Sequence, residues 1–181
     1  MKKVALMIAV TLGSLTVFAQ NVNKNELKQL QAFLAAPAEQ GMTNAQALKV
    51  TNVNDPSTWE GVTVANGHVT KIEWKNKKIA GTLNLKGFTA LTDVDVSRNS
   101  LTAVTVAGAS QLVNFNASRN KITEIDLAEC PQLINVSINN NRLTEFELVD
   151  VPGIKKLNIA SNLMTSLCLL YTSPSPRDPK T

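Results

Sequence analysis

The chain is 181 residues long, 44% hydrophobic and only 4% aromatic, with 18 Lys and Arg against 14 Asp and Glu for a formal net charge of +4. Its length suits a single domain, and one histidine with two cysteines excludes a His-rich or Cys-rich metal centre and a disulfide-stapled scaffold. The basic balance sits at the ends: without Lys2, Lys3, Arg177, Lys180 and Asp178 the chain has 14 basic against 13 acidic residues and a net charge of +1, which gives nucleic-acid binding no support.

Met1, Lys2 and Lys3 precede an uncharged run from Val4 to Phe18, and Val17-Phe18-Ala19 stands just before Gln20. This is the pattern of a secretory signal peptide over residues 1–19, with the mature chain starting near Gln20. The apolar run of 15 residues is short for a bilayer, which needs roughly 20. No Cys follows it, so a lipid-anchored start is not expected.

Residues 20–68 read as a cap. Leu27, Leu30, Phe33 and Leu34 share one helical face over Asn25–Leu34, with Asn23 or Asn25 as the start and Pro37 beyond the end. Thr43 to Leu48 suggests a second short helix. Trp59 to Val64, Asn66-Gly67 and His68 to Ile72 then read as strand, tight turn and strand, because Asn-Gly accepts the positive backbone angles of a two-residue hairpin turn.

From Val69 to Leu167 the sequence repeats. Leu91, Leu112, Leu133 and Ile154 are each 21 residues apart, as are Leu101, Ile122, Leu143 and Met164, and as are Asn99, Asn120, Asn141 and Asn162. The unit is LxxLxLxxNxLxxLxLxxxxx, shown by Leu112, Phe115, Ala117, Asn120, Ile122, Ile125 and Leu127 and again by Leu133, Val136, Ile138, Asn141, Leu143, Phe146 and Leu148. An imperfect leading unit at Val69, Ile72, Trp74 and Ile79 carries Lys77 in place of the Asn and an extra residue before Leu83 and Leu85. LxL segments alternate inward and outward as strands do, so two per unit predict two short strands per coil and a solenoid of parallel strands, mostly β. A buried Asn once per coil satisfies main-chain groups left unpaired by a sharp turn, which predicts an Asn ladder.

These units resemble the 21-residue leucine-rich repeats of internalin-J-like surface proteins, a set abundant in exported proteins of Bacteroidetes. The resemblance covers Val69 to Leu167 and implies a leucine-rich-repeat solenoid. In that set the third apolar position of the first strand is often Cys; Val96, Ala117, Ile138 and Ile159 occupy it here, so no Cys ladder is expected. The segment from Trp59 to Ile72 is similar to the WxGVxxxxGxVTxI cap that precedes the first coil of many leucine-rich-repeat proteins, which assigns Trp59 and Trp74 to packing.

Catalytic patterns are missing. His68, the sole histidine, falls at the hairpin turn with no Ser or Cys motif near it and reads as a solvated turn residue. Cys130 before Pro131 reads as a small buried side chain, and no Gly-rich phosphate loop, HExxH or CxxC occurs. No cofactor is expected. Two surfaces are candidates for partner contact. If Ile122, Ile125 and Leu127 point inward, Glu124 and Asp126 point outward, with Glu145 and Glu147 of the next coil alongside at the strand spacing of ~5 Å. Such repulsion is offset by solvent and salt, by a basic partner or by calcium. The outward positions of the first strand are Asp93 and Asp95, Asn114 and Asn116, Asn135 and Ser137, then Lys156 and Asn158; the face is polar and has no aromatic anchor.

After Leu167 the pattern breaks. Cys168 to Asp178 reads CLLYTSPSPRD, identical to one reading frame of a transposase end joined to a common sequencing adapter, so residues 168–181 are expected to be a non-native tail on a truncated chain. The function expected is an exported, non-catalytic module, secreted or at the cell envelope, that binds an unidentified protein or glycan and no nucleic acid. The alternatives are the recognition arm of a larger secreted hydrolase and a structural solenoid that self-associates end to end.

Overall fold

The computed structural model describes residues 22–149 and 151–164; the expected leader and the adapter-like tail lie outside them. Helix α1 (Lys24–Ala35) starts where the Asn23 side chain accepts hydrogen bonds from the Asn25 and Glu26 amides at 2.9 and 3.4 Å. It ends before Pro37 and buries Leu30, Phe33 and Leu34. Helix α2 (Asn44–Ala47) is one turn held by a reciprocal box between Thr43 and Gln46. The expected strand from Trp59 instead begins at Val62, because Pro56–Thr58 form a 3-10 turn that drives Trp59 into the core, where its indole donates to the Asn52 carbonyl at 2.7 Å.

Strands β1 (Val62–Ala65) and β2 (His68–Glu73) make the hairpin, with Asn66 and Gly67 at φ 52° and 76° as the sequence requires. β2 also pairs in parallel with β4 (Asp93–Asp95), and the same sheet continues through β6 (Asn114–Asn116), β8 (Asn135–Ser137) and β9 (Lys156–Asn158). A second parallel sheet holds β3 (Ala80–Asn84), β5 (Ser100–Thr105) and β7 (Glu124–Asp126). Register confirms the period: Asp93, Asn114, Asn135 and Lys156 are aligned partners across four coils.

The leading unit pairs irregularly with the next coil. Ala80 and Gly81 pair with Ser100 and Leu101, then the register shifts and Thr82 pairs with Ala103. Thr102 of β5 is thereby left without a partner opposite, Gly81 takes φ 84° beside this bulge, and beyond it Leu83 meets Val104.

The inward positions of both sheets form one core. Ile72, Trp74, Leu83, Leu91, Val96, Leu101, Leu112, Ala117, Ile122 and Ile138 are fully buried. Trp74 lies under the cap, its ring stacked on Phe33 at 5.8 Å with 10° between the planes. Among the described residues no helix is long and apolar enough to cross a membrane.

Candidate functional site

The Asn ladder is a framework for every surface that follows. Asn141 donates to the carbonyls of Ile138 and Ala117 at 2.9 and 3.0 Å and accepts from the Ile122 amide at 3.0 Å. Asn120 and Asn162 repeat the pattern, bonding their own turn and the preceding coil together. Asn99 reaches into the leading unit, donating to Trp74 at 2.7 Å and accepting from the amide of Lys77, the residue that stands where the rung is missing. The residue before each rung, Arg98, Arg119, Asn140 or Ser161, is left-handed at φ 57–59°.

On this frame the outward residues of the larger sheet form two rows. One contains Asp93, Asn114, Asn135 and Lys156; Asn114 donates to the Asp93 carboxylate and Asn135 donates to the Asn114 carbonyl oxygen, both at 2.6 Å. The amides thus form a directional chain ending on a charge, which strengthens each bond. The second row contains Asp95, Asn116, Ser137 and Asn158. Asp95, Asn116 and Asn158 each accept the backbone amide two residues ahead, at 3.0, 3.1 and 3.2 Å, and so cap the turn. Ser137 instead donates to Asn139 at 3.0 Å. Much of the hydrogen-bonding capacity on this face is therefore spent within the protein. Among the described residues the Nδ2 donors of Asn116 and Asn158 and the ammonium groups of Lys155 and Lys156 are left over, and they line a hollow of about 680 Å³ toward β9.

The carboxylate cluster is only partly assembled. Glu124 and Asp126 face outward from β7 as expected, and Asp126 caps the next turn by accepting the Ala128 amide at 3.1 Å. Glu145 and Glu147 are also exposed, around buried Phe146 and Leu148, but they do not stand on a neighbouring strand. The smaller sheet ends at β7 among the described residues, so the expected second strand of this coil is not formed and the four carboxylates are not in ladder register. No group of three or more His, Cys, Asp or Glu is placed to hold a metal ion among the described residues.

His68, expected as a solvated turn residue, opens β2 with its side chain 37% exposed and is tied down from its inner side. Its Nδ1 lies 2.7 Å from a carboxylate oxygen of Glu26, which is 3% exposed, and the other oxygen of Glu26 accepts the Val69 amide at 2.9 Å. One buried carboxylate thus latches α1 to the first coil. Asn44 latches it a second time, donating to the carbonyls of Phe33 and Ala80 and accepting the Ala80 amide, all at 3.0 Å. Sequence reasoning missed both, since Glu26 and Asn44 sit in first turns of helices and their partners lie 42 and 36 residues away with no local cue.

His68 is committed to Glu26. Cys130 is fully buried, its thiol donating to the Val106 carbonyl at 3.4 Å, and burial pushes its pKa up to about 11.

No family model and no curated protein matches this chain. Among solved structures it is similar to the leucine-rich-repeat ectodomain of the receptor kinase SOBIR1 from Arabidopsis thaliana, at 16% identity and a TM-score of 0.43, over 82% of this chain and 97% of that one. So distant a likeness says nothing of ligand or partner. The fold rests on the coils themselves, which make this chain a leucine-rich-repeat β-solenoid with a small helical cap.

Proposed function

We propose that this chain is the front part of an exported, non-catalytic binding protein, secreted or held at the cell envelope, that recognises a protein or glycan with the outer face of its larger sheet. The hollow of about 680 Å³ across β6, β8 and β9 carries the reading, because there the Nδ2 donors of Asn116 and Asn158 and the ammonium groups of Lys155 and Lys156 are not taken by internal bonds among the described residues. Concave polar sites with a few free donors suit hydroxyl-rich or main-chain ligands. The leader over residues 1–19 supports export, and the internalin-J-like repeat supports a bacterial surface setting.

The test is a screen of the purified chain against arrays of glycans and envelope proteins, repeated with Lys156→Glu and Asn116→Ala. Expected is a ligand whose binding either substitution weakens at least tenfold while the fold, read by circular dichroism, persists. Binding indifferent to both would remove this face from consideration. We also propose that the natural reading frame continues past Leu167; long-read sequencing of the locus decides this by showing either further LxxLxLxxN units or the codons for Cys168 to Thr181.

A further inference from the structure

The charge of the solenoid is sorted by edge. Every arginine in the described part of the chain, Arg98, Arg119 and Arg142, lies on the edge that carries the Asn turns. All three are exposed, and among the described residues none forms an ion pair. Lys75, Lys78 and Lys121 stand exposed on the same edge. The turns stack directly, because the Arg98 amide donates to the Ser118 carbonyl and the Arg119 amide to the Asn139 carbonyl, both at 2.9 Å. Lys121 and Arg142 follow in the same way, their amides donating to Leu101 and Ile122 of the coil before. Cations therefore recur coil by coil at the interstrand spacing of ~4.8 Å.

Acid on this edge is confined to its cap end. Glu60 pairs with Lys77 at 2.7 Å, and Glu39, which accepts a hydrogen bond from Ser100, approaches Lys121 at 4.0 Å. The guanidiniums are left without counter-charge. Backbone conformation supplies a second observation. Arg98 and Arg119 occupy left-handed positions at φ 59° and 58°, where the next coil uses Asn, a residue that tolerates this region better.

We infer that this edge is a binding rim for a linear acidic polysaccharide, a polymer with one carboxylate per sugar ring, laid across successive coils. It goes beyond the proposed role of the sheet face and stands independently of it. Arginine grips a carboxylate through two parallel N–H bonds, and two short offset rows, Arg98 with Arg119 before the Asn rungs and Lys121 with Arg142 after them, suit a narrow single-stranded polymer better than a broad duplex. Single-stranded nucleic acid fits worse, since the rim offers no aromatic side chain on which bases would stack.

The test titrates the full chain with polygalacturonate, with neutral dextran and a single-stranded oligonucleotide as comparators. Polygalacturonate is expected to bind, dextran not, and the affinity to fall on the order of 60-fold between about 50 and 200 mM salt, as release of about three counterions requires. Replacing Arg98, Arg119 and Arg142 together by Gln should weaken binding at least tenfold, and by Lys should weaken it less. Because two of these sites have unusual backbone angles, the pair Lys121→Gln and Arg142→Gln provides a second test on ordinary backbone. Lys28→Gln, an exposed position on α1 away from the rim, should leave polygalacturonate binding unchanged. Absence of binding at low salt, indifference to both sets of rim variants, or tighter binding of the oligonucleotide would overturn the inference.

Discussion

Asn141→Ala removes one rung of the ladder and tests whether the solenoid depends on it. The side chain, 7% exposed, makes three hydrogen bonds of 2.9–3.0 Å, two to carbonyls and one from an amide, in adjacent coils. Each such bond contributes ~1 kcal/mol net, and a buried group left unpaired costs ~1–3 kcal/mol, so the loss is about 3 kcal/mol, with 5 as an upper figure. That is a large share of the total stability of a domain, about 5–15 kcal/mol. Coils contact only their neighbours, so no distant packing compensates. The assay is urea unfolding followed by circular dichroism, with Asn158→Ala as control because Asn158 is exposed and makes a single bond of 3.2 Å to Ala160. The control should cost less than ~1 kcal/mol. Equal losses in the two variants, or a loss below about 1 kcal/mol at Asn141, would refute the ladder as a stabilising element.

Four further outcomes follow from the same geometry. Gly61→Ala would bring a Cβ to 2.3 Å from the Glu73 carbonyl oxygen, at a site already at φ 79°. The start of β1 should be pushed off the end of β2, at a cost above about 2 kcal/mol in thermal unfolding. Glu26→Ala leaves His68 and the Val69 amide without their carboxylate and should cost about 2–3 kcal/mol by denaturant titration, with Glu26→Gln intermediate. Glu129 is left-handed at φ 57°, where the two preceding coils place Gly87 and Gly108 at 77°. Glu129→Gly should accordingly raise the thermal midpoint, by a stability gain of ~0.5 kcal/mol once the added freedom of the unfolded chain is counted. For Cys130, the folded thiol titrates near 11 and the unfolded one near ~8.5. The folded state therefore holds the proton more tightly, so this contribution is complete below pH ~8.5 and lost as pH rises to about 11. The stability gap between the native chain and Cys130→Ala, measured with Cys168→Ser in both, should shrink across that window; a constant gap would contradict the burial argument.

The coil was legible because a solenoid converts sequence offset into spatial neighbourhood. Residues 21 apart touch, so the recurrence of Leu112, Leu133 and Ile154 already states which side chains stack, and the recurrence of Asn120, Asn141 and Asn162 already states where the turn is tied down. The candidate face was legible to the same degree. Asn114 and Asn135 could be placed outward from alternation alone, but that they bond one another and Asp93, and so are partly spent, depends on side-chain torsions that no pattern encodes.

By itself, then, the sequence determined the repeat, the inward and outward sets, the rungs and the hairpin turn, since each follows from a local preference repeated at a fixed interval. Only the tertiary structure decided the rest. Glu26 meeting His68 and Val69, and Asn44 meeting Phe33 and Ala80, arise where a non-repeating cap docks on the first coil, and nothing periodic marks partners 36 or 42 residues apart. The same holds for Glu145 and Glu147, whose alternation promised a strand. A strand also needs a pairing partner in register, and among the described residues the smaller sheet stops at β7.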